Sequence, residues 1–131
     1  MQACALGAKR AGAVQRAQQA VDVLAPFVDC PLYKKLQSCK LLATEMPFVI
    51  PLPGQGVQTG IMDAVFEQSD GVLWIVDYKT DQVSAGQEAA LFAQKYRSQL
   101  SAYKQAAEQI FPGKTIRASV IFVRTFAAID L

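Results

Sequence analysis

The residues of this chain best suited to chemistry stand near its middle. Gly60-Ile61-Met62-Asp63 is followed by Asp77-Tyr78-Lys79-Thr80-Asp81. Side chains on a strand alternate with a period of two, so Asp77 and Lys79 share a face. The midpoint of positions 63 and 77 is residue 70, in the turn dipeptide Asp70-Gly71. A symmetric hairpin therefore sets Asp63 opposite or nearly opposite Asp77. Two carboxylates with Cβ atoms roughly 5 Å apart repel when both are ionised, and they call for a cation or a proton between them. Hard oxygen donors favour Mg²⁺ or Mn²⁺, shared with phosphate oxygens. A protonated Lys79 cannot ligate the metal, but it is suited to orienting an attacking water and to stabilising charge on a pentacoordinate phosphorus. Taken singly, Asp63 also reads as a strand-end acid paired with Lys79, and Asp77 as a residue that closes a loop. Their convergence at the end of an apolar strand is costly without a bound ion, and it favours the metal reading.

Composition narrows the chemistry further. No histidine occurs among the 131 residues, which removes Ser-His, Cys-His and His-zinc sites from this chain. Cys4, Cys30 and Cys39 form neither an even disulfide set nor a zinc spacing, so a reducing, cytoplasmic compartment is expected. The length suits one domain, and 52% hydrophobic with 18% charged residues is a globular balance. Apolar runs such as 72–76 and 120–123 fall far short of the ~20 residues that span a bilayer, so no membrane segment is expected. The first ten residues carry their charges after the short apolar piece, the reverse of a secretory signal, so export is not expected. Charge is segregated: residues 1–44 hold six basic against two acidic side chains, 45–83 one against six, and 84–131 six against three. An acidic centre between basic flanks suits a metal among the acids and an anionic polymer along the flanks.

The elements that must position these residues follow from periodicity. Residues 2–24 place Leu6, Val14, Ala17, Val21 and Leu24 at helical spacing, and Pro26 is expected to end that helix. A second, short helix is expected from Cys30 or Pro31 through Leu36 towards Leu41. Strands are predicted over 41–50 and 57–66, joined by the turn Pro51-Leu52-Pro53-Gly54-Gln55-Gly56, and over 72–79, where five consecutive apolar residues mark a strand buried on both faces. Helical period returns over 84–110, with Ser84 as N-cap and with Phe92, Tyr96, Leu100, Tyr103, Ala107 and Ile110 within about 40° of one line. Pro112-Gly113 stops that helix, and a last strand is predicted over 116–126. The whole reads as one α/β domain, 1–131, with a helical part over 1–40 and a βββαβ core over 41–126.

The motifs, in this order, resemble the PD-(D/E)XK nucleases of the RecB and AddA type. Four elements carry the resemblance: Gly60-x-x-Asp63, Asp77-x-Lys79, Tyr96-x-x-Gln99-Leu100-x-x-Tyr103, and Glu45-Met46-Pro47-Phe48 after the short helix of Cys30-Pro31-Leu32. It covers roughly residues 25–110. The resemblance implies a restriction-endonuclease-like mixed sheet with core order αβββαβ, here preceded by an extra N-terminal helix. It implies that Asp63, Asp77 and the Tyr78 carbonyl hold Mg²⁺ or Mn²⁺ and that Lys79 is catalytic. It also implies that Gln99 and Tyr103, with Tyr96 and Glu45 in support, line the site and help place DNA. Relatives usually add a histidine ligand from an upstream helix, and its absence implies a fragment of a larger helicase-nuclease chain, with DNA and helicase domains as partners and a role as an exonuclease in recombinational DNA repair. The iron-sulfur variants of the group place three cysteines after the core, a pattern this chain lacks. No Walker A sequence is present, so helicase activity is not expected here. The alternative function is a catalytically incomplete module of the same fold that binds DNA or a helicase partner.

Overall fold

Strand β3 (Leu73–Lys79) organises the molecule, because Leu73, Trp74, Ile75 and Val76 are all buried and apolar and so need cover on both faces. The computed structural model describes residues 2–131, with side chains described from residue 11 on. Ahead of β3 lie α1 (Gln2–Val28), α2 (Pro31–Ser38), β1 (Lys40–Leu52) and β2 (Gly56–Glu67). After it come α3 (Glu88–Leu91), a π-helical turn (Phe92–Tyr96), α4 (Arg97–Ile110), β4 (Ile116–Phe122) and β5 (Ala127–Asp130). The strands form one mixed sheet in the order β1-β2-β3-β4-β5, parallel only between β3 and β4. The parallel pair follows from the helical crossover α3–α4, since two parallel neighbours cannot be joined by a tight turn. Phe92, Tyr96, Leu100 and Tyr103 cover one face with Met62, Ile75 and Val120. Leu36 of α2 and Phe27 of α1 cover the other with Phe66, Trp74 and Val76.

The β2–β3 hairpin has the register read from the sequence: Ala64 pairs with Val76, Val65 with Ile75 and Phe66 with Trp74, all centred on residue 70. Its turn is held by Gln68 N–H donating to the Val72 carbonyl at 2.9 Å and Val72 N–H donating to the Asp70 carboxylate at 3.1 Å. Gly71 supplies the left-handed φ of 86° that this turn requires. β1 is one edge of the sheet, and Pro47 and Pro51, four apart, place their missing N–H groups along one side of it.

Four expectations are corrected. Pro26 lies inside α1 rather than ending it, because Phe27 is buried against Tyr33, Tyr78 and Phe126 and anchors the last turn despite the lost hydrogen bond. The stripe expected on α1 does not pack inward: Val14, Val21 and Leu24 are 69%, 55% and 44% exposed, since the helix meets the sheet through its last turn. Leu6 lies outside the residues whose side chains are described. Ser84 does not cap the long helix. Its carbonyl accepts from Gln87 N–H at 3.0 Å, and the helix begins at Glu88, whose carboxylate accepts from Gly86 N–H at 2.8 Å. The predicted strand 116–126 is a β4–β5 hairpin, with Phe126 in the left-handed region at φ 62°. β5 is pinned where the buried Trp74 indole donates to Ser119 Oγ at 2.7 Å, Ser119 bonds Asp130, and Arg117 ion-pairs with Asp130 at 3.1 Å.

Gly60 of the motif has a packing reason. It pairs with Phe48, and a Cβ at this position would stand 2.6 Å from Phe48 Cζ and 3.1 Å from Tyr103 Cε1. The two rings meet edge to face across the glycine, with centroids 5.6 Å apart. Gly60→Ala is expected to lower stability by about 1–3 kcal/mol in urea unfolding, with part of the loss recovered in Gly60→Ala/Phe48→Leu. Additive losses in the double variant would refute this account.

Candidate active site

The paired register of β2 and β3 ends at Ala64–Val76, and the next residues on the two strands are Asp63 and Asp77. Strict alternation would turn Met62 and Ala64 to the same face, yet Met62 packs under α4 and Ala64 under α2. β1 breaks its alternation at the same level: Met46 packs on the α4 side, and Thr44 lines a cavity on the α2 side. Glu45 stands between them with a left-handed φ of 47° and takes up the twist. Asp63 is thereby set between the two faces. Its Oδ2 accepts from Tyr78 N–H at 2.9 Å.

Asp77 is only 3% exposed, and Lys79 Nζ lies 2.9 Å from its Oδ2. That contact is an ion pair without hydrogen-bond alignment, which leaves Oδ2 buried with no hydrogen-bond partner. Burial, reinforced by the neighbouring Asp63 and opposed by Lys79, pushes the Asp77 carboxyl up to about 6. Burial works against the Lys79 ammonium, but the close contact and charge of Asp77, with Tyr96 and Asp63, hold it above its ordinary value. Lys79 is a cation here, held in three directions. It donates to Gln99 Oε1 at 3.3 Å and sits 4.6 Å above the Tyr96 ring. Gln99 in turn donates through Nε2 to the Tyr103 hydroxyl at 2.9 Å. Burial and the Asp77 charge raise the Tyr103 phenol.

The structure thus brings together Asp63, Asp77, Tyr78, Lys79, Tyr96, Gln99 and Tyr103. Glu45 is exposed and belongs to no metal-holding group of three or more His, Cys, Asp or Glu, none of which occurs among the described residues. Asp81 has a part that sequence reasoning missed. Both its carboxylate oxygens lie 2.7 Å from the Tyr96 hydroxyl, which donates to them, and Lys95 joins at 3.3 Å, so Asp81 fixes the ring beneath Lys79. The signal was its place in the Asp77-Tyr78-Lys79-Thr80-Asp81 run. A divalent cation fits this donor set: a buried carboxylate oxygen lacks a hydrogen bond, a second carboxylate stands beside it, and the acids outnumber the lysine.

A mixed sheet with paired aspartates at the ends of adjacent strands and a lysine two residues on is a restriction-endonuclease-like architecture. The sequence pattern of the PD-(D/E)XK nuclease superfamily matches residues 5–128, and the chain belongs to that superfamily. It is similar to an ATP-dependent helicase/nuclease subunit of Anoxybacillus flavithermus, 33% identical over 95 residues, covering 70% of this chain and 8% of that protein. The same-named proteins of Desulforudis audaxviator (32% over 110 residues, 74% and 9%) and Acetivibrio thermocellus (29% over 122 residues, 80% and 10%) are similar in the same way. The chain therefore spans about a tenth or less of the length of these relatives. No helix among the described residues is long and apolar enough to cross a membrane.

A folded-state pKa of about 6 against the ordinary 3.8 means that, without metal, Asp77 binds its proton more tightly when folded. Its contribution to stability is fully present below about pH 4 and is lost as pH rises through 6. Asp77→Asn is expected to raise the metal-free melting temperature at pH 7 and to flatten its change between pH 4 and 6 relative to the wild type. A variant with the same pH profile as wild type, followed calorimetrically, would count against the buried charge.

Proposed function

We propose that the chain is a metal-dependent deoxyribonuclease domain that hydrolyses phosphodiesters with Mg²⁺ or Mn²⁺. In this reading it works as an exonuclease in recombinational DNA repair, in the cytoplasm, beside helicase domains of the same chain or complex. The single observation behind it is the Asp63–Asp77 pair with the Asp77 carboxylate buried and a fixed Lys79 ammonium alongside. Asp63, Asp77 and the Tyr78 carbonyl would hold the cation, whose chemistry is Lewis acidity and charge neutralisation at the scissile phosphate.

The remaining work falls to the chain's own groups. Lys79 stays protonated, so it acts as a donor to a phosphate oxygen and to the approaching water rather than as a base. Gln99, Tyr96 and Asp77 keep its Nζ aimed, which lowers the reorganisation needed as charge builds on phosphorus. Arg97 and Lys104 on α4 supply sequence-independent phosphate contacts. The second reading, a module that binds DNA or a helicase partner without turnover, is favoured by one observation: among the described residues no third His, Cys, Asp or Glu joins the two aspartates.

Titrating Mn²⁺ into wild type, Asp63→Ala and Asp77→Ala, then assaying linear single-stranded DNA with the same samples, separates the readings. Binding and cleavage in wild type that both variants lose support the nuclease; undiminished cleavage by Asp77→Ala excludes it, and DNA binding without Mn²⁺ uptake selects the module. Lys79→Ala is expected to keep Mn²⁺ but to lose about 10²–10³ in kcat. DNA affinity is expected to fall steeply between low and moderate salt, measured by anisotropy; a flat response removes the basic flanks from the reading.

A further inference from the structure

A cavity of about 440 Å³ opens on the α2 side of the sheet, across from Lys79 and Gln99. Its size lies within the roughly 300–1,000 Å³ of small-ligand sites. Asp63 is part of its wall, so one residue borders both the cavity and the phosphate-facing site. The twist at Glu45 and Asp63 makes this sharing possible, because it sets Asp63 between the faces while Thr44 and Ala64 turn towards α2. Three aromatic side chains, Tyr33 from α2, Phe66 from β2 and Tyr78 from β3, line the cavity with the buried Leu36. The exposed Gln37 and Thr44 add the polar groups.

We infer that this cavity receives one unpaired nucleobase of the strand being cleaved, next to the phosphate held at Asp63 and Asp77. The inference rests on the nuclease reading and deepens it. A base is joined through its sugar to the adjoining phosphate, so a site that shares Asp63 with the phosphate position is within reach of that nucleotide. An aromatic, mostly apolar lining with few polar groups suits a base released from its pairing partner, and stacking on tyrosine tolerates any of the four bases. A paired base has no such access, so the cavity makes the domain select single-stranded or frayed DNA.

The test uses a cleavage-resistant phosphorothioate single strand with 2-aminopurine placed at successive positions, bound in Mn²⁺ and followed by anisotropy and by 2-aminopurine emission. One position is expected to be quenched on binding wild type. Tyr33→Ala, which removes the stacking ring, and Thr44→Trp, which fills the cavity from an exposed strand position, are expected to abolish that quenching and weaken binding between about fivefold and a hundredfold. Tyr33→Phe is expected to retain both. Wild-type binding with no quenched position, and Tyr33→Ala binding as wild type does, overturns the base site and leaves the nuclease reading in place. No binding of the strand by wild type overturns both.

Discussion

A carboxylate buried at the end of a strand that is covered on both faces is the constraint on which the rest depends. Asp77 continues a run of four apolar residues with almost no exposure and cannot turn to solvent without pulling β3 out of its two layers. Its charge must be met from inside the protein, and Lys79 is the adjacent cation on the same face. Asp63 then brings a second negative charge to the same point, against local electrostatic interest. Three groups with an excess of acid, one oxygen lacking a hydrogen bond, make a site whose balance is completed by a positive ligand.

The second consequence of double-sided burial is a division of labour between the faces. Alternation sends Asp77 and Lys79 under α4 and Tyr78 under α2, so the α4 face holds the charged chemistry and the α2 face remains largely apolar. The α4 face needs its helix in an exact azimuth for Gln99 to reach Lys79. Phe92, Tyr96 and Leu100 recur every four residues, which on an ideal α-helix drifts about 40° per step. The π-helical turn at Phe92–Tyr96, where Arg97 N–H reaches the Phe92 carbonyl five residues back, absorbs that drift. Phe92, Tyr96 and Leu100 stay buried, and Gln99 is left at the border of the apolar stripe, beside the ammonium.

What was legible in the sequence was what local chemistry dictates alone. Asp70-Gly71 fixes the turn, the turn fixes the midpoint, and the midpoint sets Ala64 against Val76, immediately ahead of Asp63 and Asp77, without knowledge of any other element. The β4–β5 turn was not legible, because its left-handed residue is Phe126, a bulky residue with no turn propensity, held there by stacking near Phe27 and by its N–H donating to the Phe122 carbonyl at 2.9 Å. Pro26 misled for the same kind of reason: the anchor that overrides it, Phe27, acts through residues distant in sequence. Asp81 stood in view in the run after Asp77, but its partner did not, since nothing local tells that a tyrosine on a later helix will bond it.

Glu45 ties these observations together. A non-glycine residue at φ 47° costs backbone energy, and the surrounding sheet has to over-determine it. Without that twist Met62 and Ala64 would lie on one face, and Asp63 would project to one side of the sheet rather than into the gap beside Asp77. The strain at an exposed edge residue is thus the structural cost of an acid shared between two faces. On this account the Glu45 backbone, more than its side chain, is what the site requires, which explains how an exposed acid with no place in the carboxylate cluster can stand at so constrained a position.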